Sequence, residues 1–165
     1  MVECYYNSQV MAFDIEIQTC SNSFPTNCQL IDFPQYKDAR GSLCVAENGQ
    51  KNIPMEIGRV FWISNVPENS NRGEHAHRTC SEIIVPVCGS FEVELTDGIR
   101  KVSVRMDNPA QGLLIGPMVW CRLFHFSADA VCLCLASGKY DSEGYINHFE
   151  DFIKEIKNAD EMCSL

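Results

Sequence analysis

Residues 82–106 read EIIVPVCGSFEVELTDGIRKVSVRM, and this stretch decides the fold class. Its segment SFEVEL (90–95) alternates apolar side chains with glutamates, which is the period of a strand with one buried face. The residues TDG (96–98) are typical of a tight hairpin turn. The segment RKVSVRM (100–106) alternates again and directs its charges to solvent. We therefore predict an antiparallel hairpin at this point.

Segments of the same character lie on both sides of the hairpin. Strands are predicted for RVFWIS (59–64), EIIVPV (82–87), GLLIGPMVWCRLFHFS (112–127) and AVCLCLAS (130–137). Pro86 interrupts the second of these, and because proline cannot donate a ladder hydrogen bond, we expect a sheet edge or a bulge there. Many short strands with turn signals between them predict an all-β fold, either a sandwich or a small β-barrel.

The 165 residues suffice for one domain with its own core. Residues 1–27 form a predicted N-terminal extension, in which VMAFDIEIQT could add an edge strand or exchange with a partner chain. Residues 28–146 form the predicted barrel. Residues 147–160 are predicted to form a short C-terminal α-helix packed on it, because apolar side chains recur there at helical spacing. These side chains are Ile146, Phe149, Phe152, Ile153 and Ile156.

The composition excludes several classes of function. The chain has 22 acidic and 13 basic residues and a formal charge of −9, which disfavours nucleic acid and anionic membranes as partners. It contains no apolar run of the roughly 18 residues that a membrane helix needs. The N-terminus lacks the basic region of a signal peptide, so we predict a cytoplasmic protein. None of the ten cysteines forms a CxxC pair, which favours reduced, buried thiols over disulfides.

Two histidines and a carboxylate raise the possibility of a metal site. His75, His77, Glu82 and Gly89 have the HxHx4Ex6G spacing of the first metal motif of cupins, a jelly-roll family. Residues two apart on a strand face the same side, so the two imidazoles point together into the barrel or away from it. Three ligands and a water would suit a catalytic metal ion. A pair of surface histidines without a role is the alternative.

The second half of that metal motif argues against a metal. Cupins supply a fourth ligand after a Pro-x-Gly turn, and the corresponding segment here is GPMVWCRLFHF. Five residues after Pro117, the position of that ligand holds Arg122, whose guanidinium cannot ligate and opposes a cation. Cys121 would face the other side of a regular strand. We therefore predict no metal and no cofactor; if a metal binds, His75, His77 and Glu82 are its ligands.

Several motifs in one order make the chain similar to a known family. DARGSL, IPMEIGRVFWISNVP, RGEHAHR, GSFEVELTDG, GLLIGPMVW and LASGKYDSEGYI resemble the cupin-type dTDP-4-oxo-6-deoxyhexose 3,4-ketoisomerases over about residues 28–153. The resemblance implies a cupin jelly-roll homodimer, a dTDP-linked 4-oxo-6-deoxy sugar as substrate, and a carbonyl that moves from C4 to C3. It also implies no required metal, and a 3-oxo product for deoxy- or amino-sugar biosynthesis.

The resemblance also implies roles for single residues. Histidine exchanges protons near neutral pH, so His77 is the expected base and His75 its helper in proton transfer through an enediolate. Expected substrate-binding residues are Arg40, Arg59 and Arg72 for anionic groups, Trp62 and Trp120 for the thymine ring, and Cys121 beside the reacting sugar. The alternatives are solvated arginines and tryptophans of the core. Two other functions stay open: a metal-dependent cupin enzyme, and a nucleotide-sugar-binding cupin without turnover.

Overall fold

The computed structural model describes residues 23–49 and 53–163, and these contain twelve strands and one α-helix. The strands are β1 (Gln29–Asp32), β2 (Gln35–Asp38), β3 (Gly41–Cys44), β4 (Arg59–Ser64), β5 (Arg72–His77), β6 (Glu82–Cys88), β7 (Phe91–Thr96), β8 (Lys101–Met106), β9 (Gln111–Ile115), β10 (Trp120–Phe124), β11 (Val131–Ala136) and β12 (Tyr145–Ile146). The helix α1 comprises Phe149–Cys163. A single 3-10 turn, Ser142–Gly144, precedes β12.

The strands form two five-stranded antiparallel sheets. The first sheet has the order β1-β9-β6-β11-β4, and the second has the order β12-β5-β10-β7-β8. Strands β2 and β3 form a separate hairpin. The prediction of an all-β, jelly-roll fold with a short C-terminal α-helix is confirmed.

The main core lies between the two sheets, where alternate residues of each strand point inward. Strand β7 shows the period clearly, since its phenylalanine, valine and leucine are fully buried and its glutamates are only half-buried. Strand β8 pairs with β7 along its whole length, from Phe91 opposite Met106 to Thr96 opposite Lys101. The hairpin predicted from residues 82–106 is therefore correct. Its turn is held by Asp97, whose carboxylate accepts bonds from the backbone amides of Ile99 and Arg100.

The sequence predicts either a sheet edge or a bulge at Pro86, and only the bulge is observed. Strand β6 lies in the middle of its sheet, between β9 and β11, so the prediction of an edge strand is wrong. The alternative, a bulge, is correct, because the pairing of β6 with β11 shifts between Pro86 and Cys88. Strand β9 pairs with β6 only as far as Ile84, so Pro86 interrupts no ladder bond to that neighbour.

Each sheet also has a covered outer face. On the second sheet, helix α1 packs Phe152 against Ala76 and Ile146, and all three side chains are buried. On the first sheet, an apolar layer covers the strands; its buried members are Ile31, Phe33, Ile53, Ile83, Val85 and Leu135. Helix α1 therefore lies on the outer face of the second sheet, outside the space between the two sheets.

Among the cysteines of the described residues, Cys28, Cys121, Cys132 and Cys134 are buried, whereas Cys88 is exposed. The predicted edge or exchanged strand VMAFDIEIQT lies outside the described residues. Neither length nor apolar character equips any helix within residues 23–49 and 53–163 for a membrane crossing.

Candidate active site

Five polar side chains meet at one end of the space between the sheets. His75, His77 and Tyr145 come from the second sheet, where Tyr145 lies directly opposite His77 in the pairing of β12 with β5. Arg59 and Glu82 come from the first sheet, where both lie opposite Ala136 of β11. Opposed residues of antiparallel strands face the same side, so each sheet turns its share of the cluster inward.

A bulge at the start of β5 directs the histidines inward. Gly73 and Glu74 both have left-handed backbones, with φ of 75° and 57°. Opposite them, Cys121 pairs with His75 and Arg122 pairs with Gly73, so Glu74 is the extra residue of the bulge. A Cβ atom at position 73 would lie 2.8 Å from the carbonyl oxygen of Cys121, which explains the glycine in the RGEHAHR motif.

Glu82 links the two sheets within the cluster. Its Oε1 lies 3.2 Å from Nε2 of His77 and 3.6 Å from Nη2 of Arg59. His77 and Glu82 are 7% and 9% exposed, yet neither Nε2 nor Oε1 has a hydrogen-bond partner among the described residues. Buried polar atoms normally have a hydrogen-bond partner, so these two atoms are candidates for contact with a substrate.

Tyr145 contacts both histidines and was missed by the sequence interpretation. Its ring centroid lies 5.0 Å from that of His75 and 4.4 Å from that of His77. Its hydroxyl accepts a hydrogen bond of 3.3 Å from Nη2 of Arg59. The motif LASGKYDSEGYI contained this tyrosine, but only the register of β12 against β5 brings it opposite His77. The presence of Tyr145 in a motif shared with the family was therefore the only indication in the sequence that it could belong to the site.

Two residues of the cluster have shifted pKa values. Burial lowers the pKa of His75, and it outweighs the hydrogen bond from its ring to the Gly73 carbonyl, so this imidazole is neutral at pH 7. Burial on its own would lower the pKa of Arg59, but the bond to Tyr145 and the charge of Glu82 raise it above its usual value. The site therefore combines a neutral histidine with a permanent positive charge.

The cluster lies between two cavities. A pocket of about 420 Å³ is lined by Arg59, His77 and Tyr145 together with Thr79, Cys80, Ser137 and the loop that ends at Gly144. A smaller cavity of about 40 Å³ is lined by His75, Glu82 and Cys121 together with apolar side chains. The larger pocket has the size of small-ligand sites, which start near 300 Å³.

The same cluster could also hold a metal ion. His75, His77 and Glu82 each offer one ligand atom, and these atoms lie within 4.8 Å of one another. Nη2 of Arg59, however, lies 3.6 Å from Oε1 of this glutamate. This positive charge opposes a cation at that place. The three donor atoms are therefore close enough to hold a metal ion, but the positive charge of Arg59 disfavours its binding.

The expectation that Arg122 takes the place of a fourth ligand is wrong. Cys121 faces inward with His75, whereas Arg122 faces the outer side, 3.9 Å from Glu94 and with its guanidinium over the Phe124 ring. Cys121 lies opposite His75 and shares its inward face. Because side chains alternate along β10, the next residue, Arg122, points outward. Burial raises the pKa of the Cys121 thiol well above its usual value, which keeps the thiol neutral.

The other predicted substrate-binding residues lie apart from the cluster. Arg72 is exposed at the opposite end of β5 from His77. Arg40 lies in the exposed β2–β3 hairpin and pairs with Asp38. The two tryptophans are on outer faces. Trp62 is 68% exposed on β4, and Trp120 packs its ring 5.3 Å from Phe149 of α1. The single chain thus brings together His75, His77 and Arg59 with Cys121 nearby, but not Arg40, Arg72, Trp62 or Trp120.

Comparisons with known proteins agree on one family. The model of the FdtA family, described as WxcM-like, C-terminal, matches residues 26–157. A curated relative, TDP-4-oxo-6-deoxy-alpha-D-glucose-3,4-oxoisomerase of Aneurinibacillus thermoaerophilus, is 40% identical over 128 residues, which cover 78% of this chain and 91% of the relative.

Two solved structures extend the likeness to three dimensions. A 3,4-ketoisomerase from Helicobacter canadensis is 34% identical with a TM-score of 0.76, and the match covers 79% of this chain and 98% of that chain. A histidine-to-asparagine variant of the 3,4-ketoisomerase QdtA from Thermoanaerobacterium thermosaccharolyticum, in complex with TDP-4-keto-6-deoxyglucose, is 32% identical with a TM-score of 0.78 over 82% of this chain and 97% of that chain. The chain is therefore an enzyme that belongs to the FdtA family of cupin-type sugar 3,4-ketoisomerases.

Proposed function

We propose that the enzyme moves the carbonyl group of a dTDP-linked 4-oxo-6-deoxyhexose from C4 to C3. The observation that carries this proposal is the buried His77, whose Nε2 has no hydrogen-bond partner within the described residues, in a residue that lines the larger pocket. The names of the relatives support the substrate class, because one is a TDP-4-oxo-6-deoxyglucose oxoisomerase and another binds TDP-4-keto-6-deoxyglucose.

His77 is the proposed base. The substrate carries a hydrogen on C3, next to the C4 carbonyl, and removal of this hydrogen as a proton leaves an enediolate. Return of a proton to C4 then completes the isomerisation. Imidazole takes up and releases protons near neutral pH, so one residue can serve both steps. His75 helps to position the proton, and the Glu82 carboxylate can stabilise positive charge on His77 while it carries the proton.

Arginines are the proposed partners of the negatively charged enediolate and diphosphate. Arg59 lies in the pocket wall with its guanidinium directed towards Glu82 and Tyr145, where it can stabilise the enediolate. Arg72 and Arg40 are proposed contacts of the diphosphate, because local arginines can bind phosphate in a chain with a net charge of −9. Cys121, in the wall of the inner cavity, is a proposed neighbour of the sugar.

The 3-oxo sugar product indicates which type of reaction would follow. A ketone at C3 is the group that a transaminase converts to an amine. We therefore propose a place in deoxy- or amino-sugar biosynthesis, before a transaminase.

Proton exchange in D2O tests the assignment. Purified protein is mixed with dTDP-4-oxo-6-deoxyglucose in D2O, and the C3 hydrogen is followed by ¹H NMR. We expect deuterium to replace this hydrogen and a 3-oxo sugar to accumulate. His77→Asn keeps the size of the side chain but removes the base, so we expect kcat to fall by about 10² to 10⁴.

The controls separate three readings of that assay. His125→Asn changes a histidine whose side chain is 70% exposed, and its kcat should stay at the wild-type value. Wild-type protein that neither exchanges the hydrogen nor forms product would refute the assignment. If that protein still binds dTDP, it is a nucleotide-sugar-binding cupin without turnover. Unchanged turnover in His77→Asn would remove this residue from its role.

A metal-dependent cupin enzyme is the second candidate, because His75, His77 and Glu82 are close enough to share an ion. Elemental analysis of the purified protein decides between the two. Stoichiometric iron, zinc or manganese, together with activity that is lost on chelation and restored by the metal, would favour it. Full activity at less than stoichiometric metal would support the metal-free reaction.

We also propose that the enzyme is a homodimer. Strand β4 is a sheet edge that pairs only with β11 among the described strands, and it exposes Val60 and Trp62. The β2–β3 hairpin exposes Tyr36 and Leu43. Exposed sheet edges with apolar side chains favour association with a second copy.

A further inference from the structure

Moving a carbonyl group from C4 to C3 requires two hydrogens to change place, and His77 accounts for one. The hydrogen of C3 leaves as a proton, and a proton arrives at C4. The hydroxyl hydrogen on O3 must also leave, and O4 must gain a hydrogen. The site therefore needs a second group that can give a proton to one oxygen and take one from its neighbour. This requirement rests on the proposed function.

Neither other acid–base group of the cluster suits that oxygen-to-oxygen transfer. The imidazole of His75 is neutral, and its ring hydrogen is engaged by the Gly73 carbonyl. Glu82 directs Oε1 towards His77 and Arg59, 3.2 and 3.6 Å away, and it lines the inner cavity rather than the larger pocket.

The hydroxyl groups of the larger pocket narrow the choice further. Ser137 is engaged, because its hydroxyl oxygen accepts a hydrogen bond from the amide of Ser81 and its O–H donates one to the sulfur of Cys80. Thr79 is exposed at the rim of the pocket. Among the hydroxyl groups that line the pocket Tyr145 remains, and its hydroxyl can both donate and accept a proton.

We propose that Tyr145 is a catalytic residue that carries the proton between O3 and O4 of the sugar. Its ring lies against both histidines, 4.4 Å from that of His77 and 5.0 Å from that of His75. It lines the same pocket as His77. A sugar whose C3 hydrogen faces His77 can therefore present its neighbouring oxygens to the phenol.

The two residues together balance the reaction. In the first half, Nε2 of His77 takes the C3 hydrogen as a proton, and the C–H electron pair forms the C3=C4 double bond. The C4=O π pair moves to O4, and this enediolate oxygen then takes the phenol proton of Tyr145, which gives a neutral enediol as the intermediate. In the second half, the phenolate takes the proton of O3, whose electrons form the C3=O bond. The C3=C4 pair then takes the proton of His77 at C4. Both residues return to their first state, and no oxidant is needed.

Arg59 makes a transient phenolate feasible. Its Nη2 already donates a hydrogen bond of 3.3 Å to the hydroxyl oxygen of Tyr145. A charged donor at that distance stabilises a phenolate more than a neutral phenol, because hydrogen bonds between ionised groups are the stronger ones. The arginine is thus placed where the negative charge of the first half-reaction develops.

Tyr145→Phe tests the proposal, since it removes one oxygen atom and keeps the ring. We expect kcat to fall by about 10² or more while KM changes by less than about threefold, as for a group that acts in the transition state. Tyr140→Phe is the matched control. Its ring lies 5.8 Å from Tyr145 and its side chain is exposed, so its kcat should equal that of the wild type. A wild-type kcat in Tyr145→Phe would overturn the proposal.

A second measurement separates proton transfer from packing. Difluorotyrosine at position 145 keeps the shape of the residue and lowers the pKa of the phenol group. We expect the alkaline limb of the kcat–pH profile to move to lower pH; a limb that stays in place overturns the proposal. Wild-type protein without turnover of dTDP-4-oxo-6-deoxyglucose would refute the proposed function and, with it, this role. A different set of results would refute only the role of Tyr145. In that case the wild type is active, its hydrogen exchange depends on His77, and Tyr145→Phe has the wild-type kcat.

Discussion

His75 couples the stability of the fold to pH. Burial lowers the pKa of this imidazole below the ordinary value of about 6.5 that it has in an unfolded chain. The unfolded chain therefore binds the proton first as the pH falls. Well above pH 6.5 both states are neutral at this position, and the free energy of unfolding does not depend on it. As the pH falls from 6.5 towards the folded pKa, the free energy of unfolding decreases.

Urea denaturation at several pH values between 7.5 and 5.5 measures this coupling. We expect the free energy of unfolding of the wild type to decrease across that range, and the decrease to be smaller in His75→Asn. His125→Asn is the control, because its exposed imidazole should leave the wild-type dependence in place. An identical pH dependence in wild type and His75→Asn would contradict the assignment to this residue.

The bulge in β5 is the element that could not be predicted from the sequence. The spacing of His75 and His77 correctly predicts that they share a strand face, because that needs only the period of two. Which face this is depends on the left-handed residues Gly73 and Glu74 just before them. A glutamate carries no signal for such a backbone, since glycine or asparagine is the usual residue there.

Pairing between distant strands explains the other differences. Counting along one strand places Arg122 at the position of the fourth cupin ligand, whereas the inner face of β10 carries Cys121. Tyr145 was overlooked because the pairing of β12 with β5 joins residues 68 positions apart, from 145 to 77. Local patterns predicted β7 and β8 well, since a tight turn sets the register of these two strands.

Substitutions of Glu74 test whether the bulge is strained. A left-handed backbone costs a non-glycine residue about 1 kcal/mol, and it costs a β-branched residue more. We expect Glu74→Val to lower the free energy of unfolding by about 1–2 kcal/mol. Glu74→Gly should stay within about 1 kcal/mol of the wild type, because released strain offsets the greater entropy of the unfolded chain. Urea denaturation at pH 7.5 measures both. Equal losses in the two variants would contradict a strained backbone at this position.

At the scale of the whole molecule, the apolar surfaces are unevenly distributed. The outer face of the second sheet is covered by α1, whereas the edge of the first sheet leaves Val60 and Trp62 at 52% and 68% exposure. An indole that becomes buried removes on the order of 100 Å² of apolar surface from water, which is worth about 2–3 kcal/mol. A twofold axis would gain this twice, because each copy contributes the same edge.

Light scattering on the purified protein tests the dimer. We expect twice the mass of the chain for the wild type. In Trp62→Glu, we expect the mass of one chain at micromolar concentration, because the carboxylate would have to be desolvated in the interface. Ile99→Glu is the matched control: this side chain is also 68% exposed but lies in the β7–β8 turn, so its mass should stay that of a dimer. A single-chain mass for the wild type would refute the homodimer. A dimeric Trp62→Glu would keep the dimer but move its interface away from β4.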